Sequence, residues 1–128
     1  MVFSPELLSY TRSHLWLALD KDIARIGITE FMQDQLSQID FLTLPLPGKH
    51  YEAGEPIITL ESRKSAIEIR MPYSASVVSI NEQLQERPQL INQDPFGDGW
   101  LCCLDSFSAS LINHLIMSYE AYEAMLDG

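Results

Sequence analysis

Apolar and polar positions alternate with a period of two along several short stretches of this chain, as they do in strands. Leu15, Leu17 and Leu19 alternate with Trp16 and Ala18. Asp20-Lys21-Asp22 reads as a turn, and Ile23 to Ile28 as the returning strand of a hairpin. Thr29 stands where a helix cap belongs, with Glu30 favourable in the first turn, so a short helix through about Leu36 is expected. Ile39 to Leu44 is again strand-like, and Pro45-Leu46-Pro47-Gly48 ends it.

The most informative pair is Ile57 to Ser62 with Ser65 to Met71, read as a hairpin with Arg63-Lys64 at its tip. Ser62 then faces Ser65, Leu60 faces Ile67 and Ile58 faces Ile69. The last two pairs share one face and make a four-residue aliphatic patch. The opposite face is mixed: Glu61 with Ala66, Thr59 with Glu68, Ile57 with Arg70. A one-residue slip destroys this separation, so the pattern selects the register. Tight two-residue loops favour Gly or Asn, which Arg63-Lys64 does not supply, so the tip is expected to use a type I geometry or to be less tight.

Downstream, Pro72-Tyr73-Ser74 reads as a turn and Ala75 to Ile80 as a strand. Asn81 to Gly99 is rich in polar residues, Pro and Gly, and is expected to be loop with a short helical turn. Trp100 to Leu104 is strand-like. The chain reads as helical from Leu111 onward, with a helix start near Ser118 and Tyr119, Tyr122, Met125 and Leu126 on one face. Many short strands with helices at the edges, and no linker or repeat, point to one domain over residues 1–128.

Composition adds limits. The 128 residues, 46% hydrophobic and 20% charged, suffice for one real core. No stretch is long and apolar enough to span a membrane, and the start lacks the basic-then-apolar order of a secretory signal. A net charge of −10 repels phosphate backbones, which argues against nucleic acid and suits encounters with basic protein surfaces. Cys102 and Cys103 are adjacent and would point to opposite faces of a strand, so a bridge between them is not expected and a reducing, cytoplasmic setting is. Structural roles are expected for both cysteines and for His14, His50 and His114. The sequence carries no metal signature, phosphate-binding loop or nucleophile elbow, so this reading makes the chain no enzyme. The chemistry falls instead to Lys64, whose amine at a hairpin tip extends away from the fold.

Glu61-Ser62-Arg63-Lys64-Ser65-Ala66 resembles the lipoylation site of the glycine cleavage H protein family, and further motifs follow in family order. Upstream these are Ser13-His14-x-Trp16, Gly27-Ile28-Thr29, Gln35-Leu36, Leu44-Pro45, Gly48 and Glu52-Ala53-Gly54-Glu55. Downstream come Pro72, Asn81-Glu82-x-Leu84, the run from Pro88 through Asp94-Pro95 to Gly99-Trp100-Leu101, and Glu120-Ala121-Tyr122. The resemblance spans roughly residues 10 to 126.

It implies a mainly β, flattened barrel-sandwich hybrid of the lipoyl-domain type, with short edge helices and a C-terminal helix. It implies lipoate in amide linkage to Lys64, with Glu61 read by the lipoate-attaching enzyme. The arm would carry an aminomethyl group from glycine decarboxylase to the aminomethyltransferase and be reoxidised by dihydrolipoamide dehydrogenase. Ser13, Leu15 and Glu68 match the positions of the family's cleft for the loaded arm. Here the chain departs from the family. Leu15 stands where the family has Glu, and Glu68 where it usually has Asp. Ala75 replaces a Gly of the turn after the lipoyl hairpin, which strains the backbone if that position needs a positive φ. Ser37-Gln38 replaces a Gly-Asp. The departures motivate an alternative reading: an H-like lipoate carrier or relay serving 2-oxoacid dehydrogenase lipoylation or sulfur oxidation. A biotin site is not indicated, because such sites resemble Met-Lys-Met and Lys64 lies between Arg63 and Ser65.

Overall fold

In a computed structural model, which describes residues 4–108 and 113–128, these residues form nine strands and four α-helices. The strands are β1 (Ser9–Tyr10), β2 (Leu15–Asp20), β3 (Ile23–Ile28), β4 (Ile39–Thr43), β5 (His50–Tyr51), β6 (Pro56–Ser62), β7 (Ala66–Arg70), β8 (Ala75–Ile80) and β9 (Cys102–Leu104). The helices are α1 (Glu30–Asp34), α2 (Gln83–Glu86), α3 (Leu90–Gln93) and α4 (Tyr119–Asp127). A six-stranded sheet in the order β1-β2-β3-β9-β8-β5 faces a three-stranded sheet in the order β4-β6-β7. Every strand pair is antiparallel, and among the described residues neither sheet closes on itself.

Alternation along β2 explains how the layers stack. Leu15 and Leu17 point into the main core, where they meet Ile26 and Ile28 of β3 and Ile58, Leu60 and Ile69 of the smaller sheet. Trp16 points the other way, into a second cluster with Leu8, Tyr10 and Tyr122 of α4. Both faces of β2 are therefore covered where the strand begins, and only Leu19 and Asp20 at its end are exposed. Trp16 pairs with Gly27 across the β2–β3 hairpin, and its indole lies where a Gly27 Cβ would stand, 2.3 Å from the nearest ring atom. Any side chain at Gly27 would displace a ring that is fully buried and donates a hydrogen bond from Nε1 to the Pro95 carbonyl.

Most expected elements form. The short helix ends at Asp34, and Thr29 caps it by accepting from the Met32 N–H. The segment 81–99 holds two short helices, not one turn, and Asn81 pins it by donating from Nδ2 to the carbonyls of Asp98 and Trp100. Gly99 lets this loop close: a Cβ there would meet the Leu90 carbonyl oxygen at 2.5 Å. The last strand covers Cys102–Leu104, shorter than expected, and both cysteines are buried and unbridged. The helix expected from Leu111 falls partly outside the described residues. Within them, Asn113–Leu115 is a 3-10 turn, and Met117 bridges to Tyr10 before Ser118 caps α4. Ala75 has no positive φ and is a buried residue of β8, so the conditional strain at this position is absent.

Candidate functional site

The β6–β7 hairpin keeps the expected register at its tip. Glu61 faces Ala66, Leu60 faces Ile67, Thr59 faces Glu68 and Ile58 faces Ile69. The Ser62 N–H donates to the Ser65 carbonyl at 2.9 Å, and the two serine hydroxyls lie 3.3 Å apart, closing the turn around Arg63 and Lys64. Neither tip residue has a positive φ, so the loop is not the left-handed turn that demands Gly or Asn. Lower down the pairing differs from expectation. A bulge between Pro56 and Ile58 puts Pro56, not Ile57, opposite Arg70. The extra residue breaks the alternation, which is why Ile57 and Ile58 are both buried.

Lys64 is exposed, and among the described residues no hydrogen bond or ion pair holds its amine. Glu61 is exposed three residues earlier, on the outward face of the smaller sheet. On β4, Phe41 stands opposite it with 70% of its surface exposed. Ser37, Gln38 and Asp40 line a hollow with Arg63, so the Ser37-Gln38 segment borders the tip. Asn92 of α3 holds this border in place by accepting from the Ile39 N–H and donating to the Ser37 carbonyl.

Ser13, Leu15 and Glu68, far apart in sequence, line one open cleft of about 100 Å³ together with Met32, Ile69 and Arg70. Ser13 sits in the turn between β1 and β2, where its Oγ lies 2.8 Å from Thr11 Oγ1. Thr11 in turn accepts from the Leu15 N–H. Leu15 and Ile69 form the apolar floor and belong to the main core. Besides the hollow at Arg63, two other hollows among the described residues are larger than the cleft. One, of about 340 Å³, adjoins the cleft, shares Ser13 and Arg70 with it and is also lined by Arg12 and His114. The other, of about 300 Å³, lies beside α4.

Arg70 and Met32 were not singled out from the sequence. Arg70 Nη2 donates to Glu68 Oε1 at 2.8 Å, and Nη1 donates to the Gly54 carbonyl at 2.9 Å. The signal for this pair was present, because residues two apart on a strand share a face and these two carry opposite charges. Met32 reaches the cleft from α1, in a relation between elements that strand alternation does not encode.

The Glycine cleavage H-protein family model matches residues 8–128. The chain belongs to this family. It is 39% identical to the glycine cleavage system H protein of Bacteroides thetaiotaomicron over 97% of its own length and 98% of that protein. It is 38% identical to the H protein of Coprothermobacter proteolyticus, covering 94% of this chain and 95% of the relative. The crystal structure of a glycine cleavage system H protein from Mycobacterium marinum superposes with a TM-score of 0.83 at 27% identity, covering 98% of this chain and all of that one. Family membership and the mainly β, two-sheet architecture therefore agree with the expectation from the motifs.

Proposed function

We propose that this chain is a lipoyl carrier of the glycine cleavage type, with lipoate attached to the Nζ of Lys64. The observation that carries the reading is an exposed lysine, unpaired among the described residues, at the tip of a hairpin in a chain of the H-protein family. The site suits the group. An amine held by no neighbour is free to be acylated, and the β6–β7 ladder fixes the root of the arm while leaving its length mobile. When attached, lipoate supplies a disulfide that accepts and gives up the aminomethyl unit; the chemistry belongs to the group and to the partner enzymes. Glu61 would present a carboxylate to the lipoate-attaching enzyme on the same face as Phe41. Ser13, Leu15 and Glu68 would border the resting place of the arm. The partners in this reading are glycine decarboxylase, the aminomethyltransferase and dihydrolipoamide dehydrogenase, in a cytoplasmic setting. Among the described residues no helix is long and apolar enough to cross a membrane.

A second reading, an H-like lipoate carrier for another pathway, is favoured by one observation: an apolar Leu15 lines the cleft and Glu68 is already paired with Arg70. Reconstitution separates the two. Lipoylated protein is mixed with glycine and its own organism's decarboxylase, beside a working control carrier. The first reading predicts an aminomethyl mass on the arm; an empty arm beside a loaded control favours the second.

A further inference from the structure

The hollow of about 300 Å³ beside α4 has aromatic walls and a rim of carboxylates. Phe31, Phe96 and Tyr119 line it and keep part of their surfaces accessible. A second ring backs each of them. His14 stacks on Phe31 with centroids 4.4 Å apart, Trp16 stacks on Phe96 at 6.2 Å, and Tyr10 lies 5.6 Å from Tyr119. The walls are therefore held in place before any ligand arrives. Glu30, Asp34 and Glu123 also line the hollow, all three exposed, and none is in an ion pair among the described residues. No Lys, Arg or His among those residues lines it. The Tyr119 hydroxyl registers this charge: its pKa is raised by a hydrogen bond to Glu123, by burial, and by the charges of Glu123, Glu6 and Glu30. Helix physics does not favour the carboxylates on α1. Glu30 and Asp34 are like charges four residues apart, and Asp34 stands at the C-terminal end, where the helix dipole opposes a negative group. A cation entering the hollow would offset both.

We propose that this hollow is a docking site for an arginine side chain presented by a partner protein. Cations bind over ring faces, and a guanidinium also lies flat against a ring while its N–H groups fork onto carboxylates. Phe31, Phe96 and Tyr119 offer the rings, and Glu30, Asp34 and Glu123 offer the acceptors. A volume of about 300 Å³ is at the small end for enclosing a whole ligand and suits one side chain entering from an opposing surface. A free amino acid would bring its own carboxylate among the three already there; an arginine within a chain does not. The net charge of −10 draws a basic surface toward the molecule. The site stands whether or not Lys64 is lipoylated.

The probe is the blocked tripeptide acetyl-Gly-Arg-Gly-amide, titrated into the full-length protein and followed by amide chemical shifts. Saturable shifts are expected at Glu30, Phe31, Asp34, Tyr119 and Glu123. No shifts, or shifts confined to other residues, would overturn the proposal. Citrulline in place of arginine keeps the shape, removes the charge and should bind about tenfold more weakly. Equal binding of the two peptides would overturn the role of the cation. Free arginine should also bind more weakly than the blocked peptide; equal or tighter binding would overturn the assignment to a protein partner. Asp34→Asn with Glu123→Gln should weaken the arginine peptide about tenfold, by loss of charged acceptors. Asp20→Asn with Glu86→Gln removes the same charge from residues that do not line the hollow, and should leave affinity within about twofold. Equal weakening in the two double variants would make the attraction a property of net charge and overturn the site. Phe31→Leu should weaken the peptide about threefold through loss of a ring face, and unchanged affinity would remove Phe31 from the site. Native dispersion of the remaining amide shifts shows that each variant is folded.

Discussion

Leu15 belongs to two structures at once. It lines the cleft, yet it is only 1% exposed and packs in the main core between the sheets. A residue that merely walled a surface cleft could be shortened at little cost. Leu15→Ala should instead lose about 2–4 kcal/mol of unfolding free energy, the usual cost of a core cavity. Urea unfolding would measure this, and a loss under about 0.5 kcal/mol would place Leu15 at the surface. Placing an acid at this position disturbs the core as well as the cleft. Arg70 is the cleaner probe. Its side chain and that of Glu68 are 61% and 48% exposed, and exposed pairs contribute little to stability. The sequence named Leu15 through family resemblance, but its burial depends on which strands cover β2, and alternation within β2 does not say that.

At the scale of elements, the tip hairpin was legible because two aliphatic pairs sort onto one face in a single register. The bulge at Pro56 was not, since Ile57 and Ile58 are both apolar and either can be read as inward. The strands β1 and β5 have two residues each, too few for alternation to register, and α2 and α3 are single turns. The tie between α4 and the cleft side was equally hidden. Tyr122 Oη lies 2.7 Å from Thr29 Oγ1, the cap of α1, and 2.8 Å from His14 Nδ1, next to Ser13. His14 also stacks on Phe31, with ring centroids 4.4 Å apart. Burial pushes the His14 pKa below the ordinary histidine value. The unfolded chain therefore takes up a proton near pH 6.5 that the folded chain resists. The contribution of this group to stability is full above about 6.5 and declines as the pH falls toward the lower folded value. His14 has φ 69°, which Asn tolerates, so His14→Asn keeps the backbone and removes the titration. Between pH 7.5 and 5.5 the wild-type Tm should fall more than that of His14→Asn; equal changes in the two proteins would contradict the assignment.

For the whole molecule, one division runs through sequence and structure alike. A core between two sheets and a second cluster around Trp16 make a rigid body, and from it a single hairpin projects Lys64. The motif run from Pro88 to Leu101 turned out to be scaffold: Gly99 lets the loop close, and Asn92 holds the start of β4 beside the hairpin. Conversely, the place of Lys64 at a hairpin tip was legible because a tip is a local property, while the cleft unites residues 13, 32 and 68, which only the fold brings together. The net charge of −10 suits encounters with basic protein surfaces. The central claim, that Lys64 carries lipoate, is tested most directly by intact mass measurement of the protein purified from cells with active lipoylation, alongside Lys64→Arg. The account predicts a lipoyl mass on the native protein that is absent from the variant. An unmodified native protein, or the same added mass on both, would contradict it.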